Sequence, residues 1–587
     1  MTMEASVHNK KDRRTMKTFT TLCLSILTFS AVLTLESAKA DDEFSPSRAP
    51  VEATRQMIVA GHPLAAEAGL EMLREGGSAA DAAIAAQMVL NLVEPQSSGI
   101  GGGGFLLHYS AANAFVNAYD GRETAPAAAT PDRFLDENSQ PRSRADVIPG
   151  GLSVGVPGLV AMLELVHADH GVLPWARLFE PAIELAENGF PVSERLSRML
   201  SEAGPDIFAD SARAYFFDES GTARPSGFVL KNPELADTLR RIATKGGDGF
   251  YLGEIARDIA VAVRSSGTNP GDMTPQDIAD YVAHRRQPVC GRYQRRTICG
   301  MGPPSSGALT ILQTLALAER PFMGRQFSAR ALHLVAEAGK LAFADRNRFI
   351  ADSDFVDIPD LLDPDYLSER RNLISTSRTM GRAEAGTPPD APRAGRDGTR
   401  TSPGTTHLSV VDADGNAVAL TSTIETRFGS RVMVRGFLLN NELTDFSFAF
   451  EDDEGSPIAN RVEPGKRPRS SMAPTLVFAP EGDLEMVLGA PGGSLIIPYV
   501  VKAIIGHVDW SLDAQTIVEL PNFAGRNRAF EIEERYANMP VIDQLRALGH
   551  EIRTQPMPSG LNVIIRKSDG RLEGGADPRR EGMAAGD

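Results

Sequence analysis

Cysteine, tryptophan and excess basic charge are all scarce in this chain. Its 587 residues hold three cysteines and two tryptophans, with 60 Lys and Arg against 76 Asp and Glu, a formal net charge of −16. The acid excess argues against nucleic acid as the main partner. Beyond the first forty residues there is no apolar run long enough to cross a bilayer. No His or Cys pair accompanies Cys290 and Cys299, so the thiols do not read as a metal site. What remains is the composition of a soluble globular protein, 42% hydrophobic and 23% charged. Length alone anticipates two to four domains.

The first residues are read as an export signal. "KKDRRTMK" supplies a basic start, "TFTTLCLSILTFSAVLTL" an apolar stretch, and Ala38-Lys39-Ala40 a small-x-small site, with cleavage expected before Asp41. Removing residues 1–40 leaves a periplasmic or secreted chain with no membrane segment, whose only cysteines are Cys290 and Cys299. In "PVCGRYQRRTICG" the two are equidistant from a polar turn at Gln294 and Arg295. Cross-strand neighbours in such a hairpin are close enough for a disulfide, which export permits. The alternative is two buried thiols.

"HPLAAEAGLEMLREGG" reads as a helix with Pro63 near its start and Gly76-Gly77 as its stop, and "SAADAAIAAQMVLNLVEP" as an Ala-rich helix capped by Ser78. In "SSGIGGGGFLLHYS" a glycine-rich bend leads into a strand. Gly99, Gly101 and Gly104 match G-x-G-x-x-G literally, but a helix precedes and a strand follows, the reverse of a dinucleotide site. Residues 150 to 370 read as mainly helical, with "SARALHLVAEAGKLAFADRNRF" capped by Ser328. After Gly404 strands and turns take over. Helices first and strands last favour α+β, or a layered αββα arrangement, over a doubly wound sheet.

The change of texture is abrupt. Thr376 to Gly404 is rich in Gly, Pro and Arg with little to bury, a flexible stretch by composition. "TTHLSVVDADGNAVALTST" follows as a hairpin. If Gly415 takes the left-handed position of a three-residue loop, Thr405 faces Thr423; a two-residue turn places Thr406 there instead. A threonine hydroxyl is a poor nucleophile without a base. One that begins a chain can use its own α-amine, whose reference pKa is about 7.7–8.0. Cleavage between Gly404 and Thr405 would create such a residue; two β-formers opening a strand is the plainer reading of this stretch alone.

The stretch "TTHLSVVDADGNAV" resembles the start of the small subunit of γ-glutamyltransferases (γ-glutamyltranspeptidases), which are N-terminal-nucleophile hydrolases. So do "EPQSSGIGGGGF", "DGRETAP", "GPPSSGALTILQ", "FGS", "LLNNELTDFS", "KRPRSSMAPT", "GAPGGS" and "ADPRREG", in the family's order across nearly the whole mature chain. The resemblance implies a four-layer αββα sandwich and self-cleavage into a helix-rich large subunit, 41–404, and a strand-rich small subunit, 405–587. Residues 376–404 then form the segment before the cut. It implies Thr405 as nucleophile, oriented by Thr423, and Gly492 and Gly493 as the source of oxyanion-hole N–H groups. Arg122, Ser470 and Ser471 match the residues that hold the substrate α-carboxylate, and Asp445 the one that binds its α-amine. Glu425 and Glu442 stand where better-known members carry amide or other polar groups; glutamates occur at both positions within the family.

The activity implied is transfer of a γ-glutamyl group from glutathione or a related donor to water, an amino acid or a dipeptide, through a threonyl ester, with no metal or organic cofactor. Three acids against Arg122 leave excess negative charge, which a substrate ammonium would offset. A glutaryl group has no amine and would leave those acids unpaired. That weighs against the alternative of a glutaryl- or cephalosporin-type acylase on the same fold. A third reading is an unprocessed periplasmic protein that binds γ-glutamyl compounds. The run "FSFAFEDDEGSPIANRVEPGKRP" is shorter than the lid of familiar bacterial members and lacks tyrosine.

Overall fold

The strand Thr405–Val411 pairs antiparallel with Ala417–Thr423, and every residue of both is buried. Thr405 lies opposite Thr423, and Gly415 takes a φ of 81° in the loop. Alternation along the strand then separates the side chains. Leu408, Val410, Val418 and Leu420 join the apolar core under the first two helices, each stabilising by about 1.5–3 kcal/mol. Thr405, His407 and Ser409 point the other way.

In this computed structural model, residues 46–399 and 404–587 are described. The export signal expected over 1–40, and positions 400–403, lie outside them. Two seven-stranded sheets form the centre. In one, the order is Met583–Gly586, Met57–Ala60, Thr405–Val411, Ala417–Thr423, Gly103–Ser110, Phe115–Gly121 and His284–Arg286. In the other it is Val51–Ala53, Leu572–Ala576, Asn562–Arg566, Leu484–Gly489, Thr475–Phe478, Arg296–Gly300 and Val289–Tyr293. The sheets pack face to face, with Thr405–Val411 against Leu484–Gly489 and Asn562–Arg566. The helices Pro63–Arg74, Ala79–Val93 and Leu159–His170 cover the first sheet; Gly307–Ala318, Ile496–Val508 and Ala514–Glu519 cover the second. The fold is therefore a four-layer αββα sandwich.

Helices dominate the first part of the chain, yet half of the fourteen sheet strands precede Gly404. The two parts share both sheets, and Pro46–Asp587 forms one compact unit where length anticipated several domains.

Local signals act as composition suggests. Ser78 and Asp81 form a reciprocal cap on Ala79–Val93, and Ser328 caps Ala329–Phe349. All fifteen residues of Ala79–Val93 are buried, which its small side chains allow. The glycine-rich bend is a place of close approach. A Cβ on Gly102 would lie 2.0 Å from the Thr423 carbonyl oxygen, and one on Gly103 would lie 2.5 Å from a Glu123 carboxylate oxygen.

The stretch 376–399 contains no helix or strand. Its shortage of apolar side chains is made up by hydrogen bonds to distant polar groups. Glu337 accepts from Thr379 Oγ1 at 2.7 Å and from Met380 N at 2.6 Å. Asp397 accepts from Arg469 at 2.6 Å and from Asn460 at 3.0 Å.

Cys290 and Cys299 are cross-strand partners, joined as a disulfide. Thiol titration of the denatured mature protein is expected to find no free cysteine before reduction. Two reactive thiols would contradict that pairing.

Candidate active site

Where two inner strands of the first sheet end, one hydroxyl organises three groups. Thr423 Oγ1 accepts from Thr405 Oγ1 at 3.3 Å and from Glu425 N at 2.8 Å, and donates to the Gly404 carbonyl at 2.7 Å. The strand's alternation distinguishes the two threonines. Thr406 turns toward the helical layer, where its hydroxyl donates to Glu94 at 2.7 Å. Thr405 turns into the space between the sheets, with its hydroxyl beside the Gly404–Thr405 peptide.

That space is also bordered by Arg122, Glu425, Glu442, Asp445, Ser470, Ser471 and Gly493. Its cavity volume is about 20 Å³, room for about one water molecule. Gly492 and Gly493 take φ of 138° and 59° in the turn that leads into the helix Ile496–Val508. Backbone N–H groups at such a turn are available to a developing negative charge.

Arg122 directly follows the strand Phe115–Gly121 and is almost wholly buried. Its guanidinium donates to Glu442, to Asp445 at 2.7 Å and to the Pro468 carbonyl at 3.0 Å. Burial works against its charge; Glu442 and Asp445 outweigh that and hold its pKa above the ordinary arginine value. Every nitrogen of the guanidinium thus has an acceptor, while one oxygen of each acid has no hydrogen-bond partner among the described residues.

Glu425 behaves differently. It has a φ of 76°, a conformation rare outside glycine, and its carboxylate is held by Arg144 at 2.8 Å and Asn441 at 2.6 Å. The sequence-level count of three acids against Arg122 is corrected here in two ways. Arg144 offsets Glu425, and a fourth acid, Glu123, lies fully buried beside the pocket. Glu123 Oε2 lies 3.8 Å from Arg122 Nη1, but neither Glu123 oxygen accepts a hydrogen bond from another described residue, and Glu442 Oε2 and Asp445 Oδ1 also lack one. Glu123 and Glu442 adjoin, and burial pushes both carboxyls up, Glu123 to about 8. Protonation of one of the two carboxyls would relieve the repulsion between them.

Ser471 Oγ accepts from Arg346 at 2.7 Å, and Ser470 Oγ from Met472 N at 3.1 Å. Arg346 also donates to Ser306 at 2.8 Å. Arg144, Arg346 and Glu123 escaped sequence reasoning. Only Glu123 carried a signal, its place beside Arg122 in "DGRETAP". His333, Glu337 and His550 converge elsewhere, but Glu337 is committed to Lys340, Thr379 and Met380, and His333 to His550 and Ser375.

Residues 65–587 match the Gamma-glutamyltranspeptidase family. The chain belongs to that family. It is 36% identical over 551 residues to the glutathione hydrolase proenzyme of Bacillus subtilis (strain 168), covering 90% of this chain and 91% of that one. It is 34% identical to the Acylase ACY 1 proenzyme of Pseudomonas sp. (strain SE83), over 92% and 95% of the two chains. Among solved structures it resembles the cephalosporin acylase from Bacillus halodurans, with a TM-score of 0.80, 27% identity, and coverage of 92% and 98%. Members of the γ-glutamyltranspeptidase family are enzymes of the hydrolase and transferase type, and this chain is one.

The Glu123–Glu442 pair has a consequence for stability. A carboxyl raised from about 4.5 to about 8 binds more protons folded than unfolded across that interval. Its contribution is therefore fully present below about 4.5 and is lost as pH rises through about 8. Melting temperatures measured from pH 5 to 9 are expected to fall more steeply in wild type than in Glu123→Gln. Parallel profiles would show that the pair does not titrate there.

Proposed function

We propose that the chain is an exported, self-processing γ-glutamyltransferase and glutathione hydrolase with Thr405 as its nucleophile. The observation that carries this is the hydrogen bonding at the Gly404–Thr405 peptide. Thr423 polarises the Gly404 carbonyl while orienting the Thr405 hydroxyl beside it. Attack by Thr405 Oγ1 on the Gly404 carbonyl carbon breaks the peptide bond and forms an ester; the Thr405 nitrogen takes the proton. Water then hydrolyses the ester, leaving a Gly404 carboxylate and a free Thr405 α-amine. The relatives named proenzymes are consistent with such a step. The export signal read in residues 1–40 supports a periplasmic or secreted enzyme.

In the mature site the α-amine accepts the hydroxyl proton as Oγ1 attacks the γ-glutamyl carbonyl. N–H groups at Gly492 and Gly493 stabilise the oxyanion. The proton passes to the departing amine, Cys-Gly for glutathione. Water or an acceptor amine then resolves the ester.

The closed Arg122–Glu442–Asp445 cluster favours a zwitterion. When a glutamyl group enters, its carboxylate replaces the acids at Arg122, aided by Ser470 and Ser471. Its ammonium replaces Arg122 at the acids. Every charge keeps a partner. A glutaryl group supplies only the carboxylate and strands the acids. The acylase reading is kept alive by the ACY 1 relative and the cephalosporin acylase likeness.

Maturation is checked by a denaturing gel and N-terminal sequencing. Wild type is expected as two fragments, the smaller beginning Thr-Thr-His-Leu, and Thr405→Ala as one full-length chain. A wild type that is active yet uncut would sink the proposal, and an uncut, inactive one that binds γ-glutamyl compounds would point to the binding-protein reading.

Specificity is checked with matched γ-glutamyl and glutaryl anilides. Losing a charge-assisted bond in a desolvated site costs about 2–5 kcal/mol. At about 1.4 kcal/mol per tenfold, Arg122→Ala should lower kcat/KM for the γ-glutamyl anilide roughly 30-fold or more while self-cleavage survives. Equal turnover of the two anilides by wild type would move the acylase reading ahead.

A further inference from the structure

One guanidinium from the first part of the chain reaches an acid of the pocket without bordering the pocket itself. Arg144 opens the short helix Arg144–Val147, capped by Ser143. Its Nη2 donates to Glu425 Oε1 at 2.8 Å. The same nitrogen donates to Thr444 Oγ1 at 3.1 Å, and Nη1 donates to the Thr444 carbonyl. Thr444 thus braces the guanidinium while it holds Glu425. Glu425 lies two residues beyond the strand Ala417–Thr423, and Thr444 directly precedes Asp445.

Glu425 is a residue that needs anchoring. Its φ of 76° is strained for a residue with a side chain, and such conformations persist where surrounding contacts over-determine them. The backbone is fixed at one end, where Glu425 N donates to Thr423 Oγ1 at 2.8 Å. The side chain is fixed at the other, with Oε1 on Arg144 and Oε2 on Asn441 Nδ2 at 2.6 Å. Asn441 Nδ2 also donates to Thr444 Oγ1 at 3.0 Å. Arg144, Glu425, Asn441 and Thr444 therefore close a ring of hydrogen bonds, and Arg144 is the cation in it.

The two partners differ in burial. The Glu425 side chain is 2% exposed and that of Arg144 21%. The carboxylate has lost its water, while the guanidinium keeps part of its own. Losing the arginine from such a pair leaves a buried carboxylate with less to offset its charge, which disfavours the ionised form and loosens its position. The other half of the pocket does not depend on this ring. Arg122 is held by Glu442, Asp445 and the Pro468 carbonyl, and Ser471 by Arg346.

We propose that Arg144 is a positioning residue for donor specificity: it holds the Glu425 carboxylate in place to receive the α-ammonium of a γ-glutamyl group. This deepens the function proposed above and rests on it. Arg144 acts through Glu425 and does not reach the α-carboxylate side of the pocket. Its effect therefore falls on donors that carry the amine and spares those that lack it.

The test uses purified, processed enzyme and the matched γ-glutamyl and glutaryl anilides, and reads the ratio of their kcat/KM values. Arg144→Gln is expected to lower that ratio about tenfold, carried by a higher KM for the γ-glutamyl anilide, with glutaryl turnover changed by less than about twofold. Arg144→Lys keeps the charge but not the fork that spans Glu425 and Thr444, and is expected to lower the ratio about threefold. It carries the test should Arg144→Gln yield no processed enzyme. In Arg144→Gln/Glu425→Gln the arginine change is expected to add less than about twofold to the effect of Glu425→Gln alone, because it acts through that carboxylate. A fall of equal size for both anilides would make Arg144 a support of the fold and overturn the proposal. So would an unchanged ratio, or effects that simply multiply in the double variant. A wild type that uses the two anilides equally, or neither, overturns instead the reading on which the proposal rests.

Discussion

The antiparallel register that sets Thr405 opposite Thr423 is the constraint on which the rest of the site depends. Side chains on a strand alternate, so a slip of one residue would exchange the roles of the two threonines. Thr406 would then face the inter-sheet space and Thr405 would meet Glu94. The hairpin loop alone does not hold this register. The pair is flanked by Gly103–Ser110 on one side and Met57–Ala60 on the other, and Thr423 also pairs with Gly103. Glycine at 102 and 103 is what lets those chains come close enough. The glycine-rich bend serves the geometry of Thr423, not a phosphate.

Charge is the second organising element, and it is settled by exchange. Four acids, Glu123, Glu425, Glu442 and Asp445, lie close to two arginines, Arg122 and Arg144. Burial pushes the Glu123 and Glu442 carboxyls up, which favours their neutral forms and reduces the deficit, and hydrogen bonds to the two arginines offset part of the rest. On the proposed reading, such a cluster favours a ligand that offers both signs of charge at once, and selectivity for an α-amino acid would arise from what the site loses when one charge is missing.

Much of this was legible in the sequence, and the illegible part has a common cause. A hairpin count brings Thr423 beside the Thr405–Thr406 pair and leaves two registers open, between which the family resemblance chooses; the caps at Ser78 and Ser328 follow from local spacing, and the Cys290–Cys299 pair from symmetry about a turn. All are relations between residues less than about twenty apart. The partners that escaped are distant in the chain: Arg144 with Glu425, Arg346 with Ser471, Asp397 with Arg469. Composition also misled about the strands of the first part. Segments such as Val51–Ala53 and His284–Arg286 are too short for a period-2 pattern, and become strands only because a neighbour's backbone supplies the hydrogen bonds. The stretch 376–399 had too few apolar residues to predict an anchor, and its anchors are single polar groups on distant elements.

The interleaving has a bearing on what a cut at Gly404 can do. Thr405–Val411 is hydrogen-bonded to Met57–Ala60 from before the cut and to Ala417–Thr423 from after it. Arg296–Gly300 pairs with Thr475–Phe478, and Val51–Ala53 with Leu572–Ala576. Each sheet is thus sewn from both fragments, and their apolar faces form a common core between the same layers. Separating the fragments would expose that core and break both sheets, at a cost set by the whole domain and not by one peptide bond. Cleavage therefore changes only what lies at the scissile peptide. On the proposed reading it would free one amine and create one carboxylate, while the contacts that hold Thr423, the acids and Arg122 do not depend on the Gly404–Thr405 bond.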